Sequence, residues 1–197
     1  MTATVAMAGL RASPTPRRAL NKKRVYIALY GRGTNKTSSE PYHWAIIVGP
    51  KKEVENGQGV RYHARQIFDA TRPGKTSWAF ERREIALAPT SLLLARVLVA
   101  KVADDAQLGR TLGAVAVVQN DQDPAWNCKS WIRTALAALE GDGRSLGTRV
   151  TDWRTVEGVA SAYVCCKKRQ RRFDTPGAFA AGTVPTFDLL AGREIIS

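Results

Sequence analysis

The chain has 197 residues, of which 44% are hydrophobic and 24% charged, and its formal net charge at pH 7 is +13. These values suit one globular domain and exclude a membrane-spanning chain, because no apolar run reaches the ~20 residues that a transmembrane helix needs. Three cysteines, two of them adjacent and none in a C-x-x-C pair, exclude a disulfide framework and argue against a structural zinc site, so no metal or other cofactor is predicted.

Residues 1–23 are predicted to be a disordered basic tail, followed by a single domain over residues 24–197. Eight Lys or Arg and no Asp or Glu precede Glu40. The basic residues follow the weak apolar patch instead of leading it, which argues against a secretory signal. Pro14 and Pro16 would interrupt the helix of a mitochondrial presequence. We expect an intracellular protein, in the first instance cytoplasmic, with nuclear and mitochondrial locations as alternatives.

Five strands are predicted in the first half of the domain. Residues 24–31 are apolar on both alternations, which is typical of a strand covered on both faces. Residues 43–50 and 60–68 are separated by a turn-forming stretch and are predicted to pair as a β-hairpin. The β-branched and aromatic content of residues 77–87 and 92–102 predicts two further strands.

Three helices are predicted after the strands. Apolar residues at helical spacing place them from Asp104 or Asp105 onward, from about residue 127 to 140, and from about Asp152 into the basic run at 167–172. The C-terminal stretch TFDLLAGREII fits either a short helix or a strand. Strands first and helices later predict the α+β class, with an antiparallel sheet packed against helices.

The second predicted helix begins at a cysteine. Its apolar stripe starts at Cys128 and continues through Trp131, Ile132 and Leu136, so the sulfur should point toward the sheet. Asn127 is suited to cap the helix, and the first turn carries a partial charge of ~+0.5, which favours a thiolate. An inert core thiol is the alternative, since free cysteines are usually buried as small hydrophobes.

The chain has two histidines, and both fall in the predicted hairpin. His43 opens one strand and alternates with Ala45 and Ile47, so its face should be buried against a helix. His63 lies on the return strand, near His43 if the two strands pair. A cysteine nucleophile needs a base, and the base needs an orienting partner. Cys128, His43 and His63 are therefore the predicted catalytic residues.

One feature counts against His63. Strict alternation puts it on the face of its strand that carries Arg61 and Arg65, and that face looks exposed to solvent. A β-bulge or the end of the strand would be needed to turn the ring toward the site. A hydrogen-bonded strand residue is the alternative interpretation of each histidine.

Three motifs occur in an order that resembles a known group of proteins: YHWAIIVGP at 42–50, VRYHA at 60–64 and NCKSWI at 127–132. They resemble the circularly permuted papain-like proteins, most closely the lecithin:retinol acyltransferase-like group, in which the histidine strand precedes the cysteine helix. The chain also resembles a set of small fungal proteins of unassigned function that share the VYIALY and YHW signatures. The resemblance covers roughly residues 24–140.

The resemblance implies a permuted papain-like fold and a thiol hydrolase or acyltransferase. Cys128 would attack an acyl carbonyl to form a thioester, His43 would act as general base and His63 would orient His43. Lys129 and Ser130 stand where the acyltransferase group has an acidic residue and a histidine, so the expected substrate is an acyl-bearing small molecule, lipid or peptide of no narrower class. The same permuted fold serves peptidases and isopeptidases that cleave ubiquitin-like modifiers, which is the alternative chemistry.

Four residues beside the predicted triad are candidates for a pocket or an oxyanion site. Trp44 and Trp126 would line an acyl pocket, although tryptophans at such positions are more often core residues. Tyr42 is a candidate oxyanion donor, as is the backbone N–H of Cys128. Asn127 completes the set through its position at the helix start.

A basic binding module is the predicted alternative from another functional class. Nucleic acid or an anionic membrane would contact the cluster Lys167, Lys168, Arg169, Arg171 and Arg172. Cys165 and Cys166 precede this cluster, and reversible acylation there would add a second membrane signal. The simpler expectation is that one of the two thiols faces the core.

Overall fold

The computed structural model describes residues 22–32, 40–52, 57–68, 74–174 and 183–197. The predicted N-terminal tail lies outside these ranges except for Lys22 and Lys23, and Lys23 already begins the first strand. The elements are β1 (Lys23–Gly31), β2 (Tyr42–Pro50), β3 (Gln58–Phe68), β4 (Thr76–Ala86), β5 (Leu93–Val102), α1 (Asp105–Gly113), α2 (Cys128–Gly141), β6 (Leu146–Arg149), α3 (Trp153–Arg169), β7 (Thr186–Asp188) and β8 (Arg193–Ile196).

One sheet in the order β4-β3-β2-β1-β5-β7-β8 organises the described chain, with β6 paired to β5. Its pairs are antiparallel except for the parallel pair of β5 and β7. The predicted α+β class, its five strands, its hairpin of β2 and β3 and its three helices are confirmed. The short strand β6 was not predicted, because its sequence, LGTR, has no alternation of apolar residues.

Both faces of β1 are buried, as its sequence predicts. Val25, Ile27 and Leu29 pack in a large core with the apolar stripe of α2, whereas Tyr26 and Ala28 pack in a smaller cluster on the opposite face. The connection from β4 to β5 covers that smaller cluster. It runs from Leu87, which packs against Gly49 and Gly59, to Leu92, whose carbonyl accepts a hydrogen bond from Gly31 at 2.7 Å. No helix in the described ranges is both long and apolar enough to cross a membrane.

A buried lysine ties the C-terminal strand to α3. Lys167 was predicted to belong to an exposed basic cluster, but it is 2% exposed and its Nζ lies 2.5 Å from Oε1 of Glu194. The hydroxyl of Tyr163 donates to the same carboxylate oxygen at 2.5 Å. Lys167 falls on the apolar side of α3, one turn after Tyr163 and Val164, and this position explains its burial. It is therefore not available to an anionic partner.

Removing this ion pair should destabilise the fold. We expect Lys167→Met to lower the free energy of unfolding by about 2 kcal/mol, because it leaves the Glu194 carboxylate without its charged partner. Arg169→Met is the matched control on the exposed side of the same helix, with an expected effect within about 0.5 kcal/mol. Urea titration of the two variants measures both values, and equal stabilities would contradict the role of Lys167.

Candidate active site

Asn127 and Ser130 determine where α2 begins and therefore where Cys128 lies. The Asn127 side-chain oxygen accepts hydrogen bonds from the backbone N–H of Lys129 at 2.9 Å and of Ser130 at 3.4 Å. In return, the Ser130 hydroxyl accepts from the backbone N–H of Asn127 at 3.3 Å. This reciprocal cap confirms Asn127 as the N-cap and makes Cys128 the first helical residue. Its sulfur faces the sheet and is 0% exposed.

The Cys128 sulfur is surrounded by hydrogen-bond donors. Nη2 of Arg32, the residue that follows β1, donates to Sγ at 3.5 Å. The backbone N–H groups of Trp44 and Lys129 also point at the sulfur. Nε of Arg32 is buried and has no hydrogen-bond partner in the described ranges. The guanidinium therefore lies beside the thiol, and its Nε–H has no acceptor among the described residues.

Burial nevertheless keeps the thiol protonated. Loss of hydration raises the pKa of Cys128, and the nearby Glu40 carboxylate raises it further. The Trp44 and Lys129 N–H groups and the Arg32 charge act in the opposite direction but do not reverse the shift. The predicted resting thiolate is therefore wrong, because the sequence shows the helix start but not the depth at which the sulfur is buried.

The two histidine rings are in contact, and His63 also contacts the carboxylate of Glu81. Nε2 of His43 is 2.6 Å from Nδ1 of His63, and Nε2 of His63 is 2.8 Å from Oε2 of Glu81. Arg61 and Arg65 hold Glu81 through contacts of 3.2 and 2.9 Å. The hydrogen bond with His63, followed by the contacts with Arg65 and Arg61, lowers the pKa of Glu81 to about 2 and so keeps its carboxylate charged.

The carboxylate determines which ring nitrogens carry protons. Glu81 can only accept, so His63 donates from Nε2 and a neutral His63 accepts at Nδ1. His43 must then donate from Nε2, which leaves its Nδ1 with a free lone pair. Nδ1 of His43 has no hydrogen-bond partner in the described ranges. Burial, followed by the positive charges of the surroundings, lowers the pKa of His43 to about 3 and also lowers that of His63, so both rings are neutral.

His43 lies on a different face of the sheet from the one predicted. Ala45 and Ile47, which alternate with His43, pack in the cluster opposite the helices, and the ring of Tyr30 on that face is 6.2 Å from the His43 ring. The expectation that His43 faces a helix is therefore wrong; Trp44 takes that side. His63 does share a face with Arg61, but it is 4% exposed instead of facing solvent, because His43 and Glu81 cover it.

Cys128 and His43 lie on opposite faces of the sheet at the start of β2, and no hydrogen bond joins them within the described residues. The peptide that links His43 to Trp44 points its N–H at the Cys128 sulfur. Arg32 is close enough to contact the sulfur and to lower the pKa of His43 through its charge. The structure thus brings His43 and His63 into direct contact, and Arg32 links this pair to the thiol, because it contacts the sulfur and its charge acts on His43.

The remaining predicted residues have mainly structural contacts. Trp44 is fully buried, with its ring tilted against that of Trp153 at 5.8 Å, and Trp126 packs edge-on against Trp78 at 5.4 Å. The ring of Tyr42 contacts the Lys168 ammonium at 4.5 Å, and no hydrogen bond in the described chain joins its hydroxyl to the thiol or to His43. Their roles in a pocket or oxyanion site stay predictions.

Sequence reasoning did not identify Arg32 and Glu81. Arg32 lies in a glycine-rich segment that reads as a loop, with nothing to distinguish it from other basic residues. Glu81 stands directly opposite His63 in the pairing of β3 and β4. The register of that hairpin, had it been derived, would have identified Glu81 as a cross-strand partner. Within the described ranges, no three His, Cys, Asp or Glu side chains converge as a metal site would require.

The basic run at 167–172, which spans the last turn of α3 and the residues after it, is partly exposed. Lys168, Arg169 and Arg171 are exposed, whereas Arg172 is half-buried and donates to the carbonyl of Thr183 at 3.4 Å. Both Cys165 and Cys166 are exposed, so the expectation that one of them faces the core is wrong. The helix turns both thiols away from the side that carries Val164, because they fall between its apolar positions.

Acid should destabilise the protein through His43 and His63, whose pKa values are lowered in the folded state. In the unfolded chain His43 takes up a proton near pH 6.5, whereas in the folded protein it does so only near pH 3. The unfolded state therefore binds more protons in this interval, and stability falls as the pH drops through it, by at most about 1.4 kcal/mol per pH unit for each such group. Denaturant titrations between these pH values measure the slope. A His43→Gln variant with an unchanged slope would contradict this assignment.

Residues 22–196 match the model of one protein family, which is described as a family of unknown function (DUF6914). No curated protein and no solved structure matches the chain. The match extends over all the strands and helices, including those that carry Cys128, His43 and His63. The family description assigns no activity to these residues.

Proposed function

The chain belongs to the DUF6914 family, and from the geometry of its site we propose that it is a cysteine-dependent hydrolase or acyltransferase that works through a thioester on Cys128. The observation that carries this proposal is the chain of contacts from His43 through His63 to Glu81. It leaves Nδ1 of His43 as a basic nitrogen on β2, the strand whose next residue, Trp44, packs in the same core as the Cys128 thiol. A base oriented by a second group and adjacent to a nucleophile is the arrangement that covalent catalysis requires.

In the proposed first step Nδ1 of His43 takes the proton of the Cys128 thiol while the sulfur attacks the acyl carbon. Catalytic hydrogen bonds commonly tighten when substrate binds, so we expect the distance from sulfur to nitrogen to shorten in the complex. His63 and Glu81 stabilise the imidazolium that forms. The Arg32 guanidinium, already 3.5 Å from the sulfur, stabilises the negative charge that develops first on sulfur and then on the carbonyl oxygen.

In the second half of the proposed cycle, the tetrahedral intermediate collapses and the leaving group takes the proton from His43. The thioester is then attacked by water or by another acceptor, which gives its proton to the now neutral His43. Cleavage of the carbon–sulfur bond returns that proton to the sulfur. The complete burial of Cys128 favours a small acyl donor over an isopeptide bond on the surface of a folded protein.

The test uses a variant in which the exposed cysteines are removed, Cys165→Ser with Cys166→Ser, so that Cys128 is the sole thiol. We expect incubation with acyl thioesters to add one acyl mass to this protein, and hydroxylamine to remove it. The same background with Cys128→Ala should gain no mass. An adduct of equal yield on that triple variant, or no adduct with any acyl chain length, would contradict the proposal.

Loss of Arg32 should lower the rate of the reaction, although Cys128 can still act as the nucleophile without it. We expect Arg32→Met to lower kcat about a hundredfold, the usual effect of losing one donor to a developing anion. Arg169→Met is the matched control, since Arg169 is an exposed arginine on α3. Steady-state hydrolysis of a thioester by both variants measures the difference, and equal rates would contradict a role for Arg32 in the reaction.

A further inference from the structure

The strand β4 forms the long edge of the sheet. It has eleven residues, whereas β8 at the opposite edge has four. Within the described ranges β4 pairs only with β3, so one side of its backbone has no strand beside it. A strand edge of this length can accept a further strand through its unpaired N–H and carbonyl groups.

Alternate residues of β4 direct their backbone groups away from β3. In an antiparallel pair, a residue that exchanges both hydrogen bonds with its partner is followed by one that exchanges none. Leu87, just beyond β4, donates its backbone N–H to Gly57 at 2.9 Å, which places the odd-numbered residues on the side that bonds to β3. Trp78 is the opposite case, because its N–H and its carbonyl both bond to the side-chain amide of Gln119 at 2.9 Å. The even-numbered residues therefore face the open edge.

The Gln119 amide limits the length of edge that a further strand can use. It takes the place of a neighbouring strand at Trp78 and so closes the edge there. The residues of β4 that still direct their N–H and carbonyl groups outward are Phe80, Arg82, Glu84 and Ala86. An antiparallel copy of β4 that pairs with all of them has to be centred on Arg83. Other registers either meet Gln119 or leave outward groups unpaired.

The side chains on this stretch are complementary in the same register. With Arg83 on a two-fold axis, Arg82 of one copy lies opposite Glu84 of the other, and this pair occurs twice. Both side chains are exposed, and neither has a hydrogen-bond or ion-pair partner among the described residues. The two Arg83 side chains meet once, at the axis, on the other face of the strand.

We propose that two copies of the chain pair through their β4 edges and continue the sheet across a two-fold axis at Arg83. Phe80 would exchange backbone hydrogen bonds with Ala86 of the second copy, and Arg82 with Glu84. This inference is independent of the proposed function, because the proposed catalytic residues lie on β2, β3 and α2.

The first experiment reverses the charges at the edge and measures association of the full chain by sedimentation velocity. A series from about 1 to 500 μM covers the weak association expected of a small interface. We expect the parent to dimerise in this range, and Arg82→Glu or Glu84→Arg alone to stay monomeric, because each reversal sets like charges opposite each other twice. An equal mixture of the two variants should dimerise, since each carboxylate then faces a guanidinium. Arg169→Glu, on the exposed side of α3, is the matched control and should dimerise as the parent does.

The second experiment tests the register with a cysteine at the axis. Arg83→Cys, in the chain lacking Cys165 and Cys166, should form a disulfide with a second copy when equilibrated with oxidised glutathione. Residues opposite each other without mutual backbone hydrogen bonds have Cα atoms about 4.5 Å apart, which a disulfide can span. Ser77→Cys, on the same strand, is the matched control, because its two copies would be far apart in this pairing.

Loss of the dimer in both charge reversals and its return in their mixture would support the proposed pairing. A parent chain that is monomeric at every concentration would overturn it and leave the edge open to a strand of another protein. A dimer that both reversals leave intact, or equal disulfide yields from Arg83→Cys and Ser77→Cys, would overturn it as well. Thermal melting shows whether each variant is folded, and if a charge reversal unfolds the chain, the disulfide yields decide.

Discussion

Replacing Cys128 with alanine is expected to lower thioester hydrolysis by at least about a thousandfold, because no other group in the site can form the covalent intermediate. The sulfur is fully buried in the core next to Trp44, so the substitution removes a single atom and leaves a small cavity. We expect the accompanying loss of stability to be about 1 kcal/mol. Activity should therefore disappear from a protein that remains folded.

The comparison variant is Cys165→Ala, which removes an exposed thiol from α3 and should retain parental activity. Hydrolysis rates and thermal melting of both variants are measured together. A Cys128→Ala protein that hydrolyses thioesters at a rate within tenfold of the parent would exclude Cys128 as the nucleophile.

Replacing His43 with glutamine is expected to slow acylation of Cys128 by about a hundredfold to ten-thousandfold, the usual contribution of a general base. The glutamine amide can still donate to Nδ1 of His63, so the contacts that hold His63 and Glu81 should survive. The amide has no basic nitrogen to take the thiol proton. The loss should therefore appear in kcat more than in KM.

His63→Gln is the variant to compare with His43→Gln, because it separates the orienting residue from the base. His63 orients His43 and does not touch the thiol, so its replacement should cost less than the loss of the base itself. Single-turnover acylation by each variant gives the comparison. If the two replacements slow acylation equally, or if His43→Gln has no effect, His43 is not the base.

The elements of the fold could be predicted because each has its own periodicity. β1 is apolar on both alternations, and α2 has one apolar stripe that starts at Cys128, so both could be located from local pattern alone. The partnership of His43 with His63 followed from the predicted hairpin. In each case the prediction depended only on residues that are close in sequence or on strands that are joined by one turn.

What could not be predicted depends on packing between distant segments. A strand that is apolar on both sides, such as β1, does not reveal which face the helices cover, and so His43 was assigned to the wrong face. The partnership of His63 with Glu81 depends on the register of β3 and β4. The raised pKa of Cys128 depends on burial by the whole core, which outweighs the helix start that the sequence does show.

The central claim is that neutral His43 activates a neutral Cys128 thiol. The most direct test is the rate of Cys128 acylation between about pH 5.5 and 8, in the background without Cys165 and Cys166 and with or without His43→Gln. With His43 present, both groups keep the required protonation, so we predict a rate that is nearly independent of pH. With glutamine, the reaction needs a free thiolate, so we predict a slower rate that rises about tenfold per pH unit. Identical rates and slopes in the two proteins would contradict the claim.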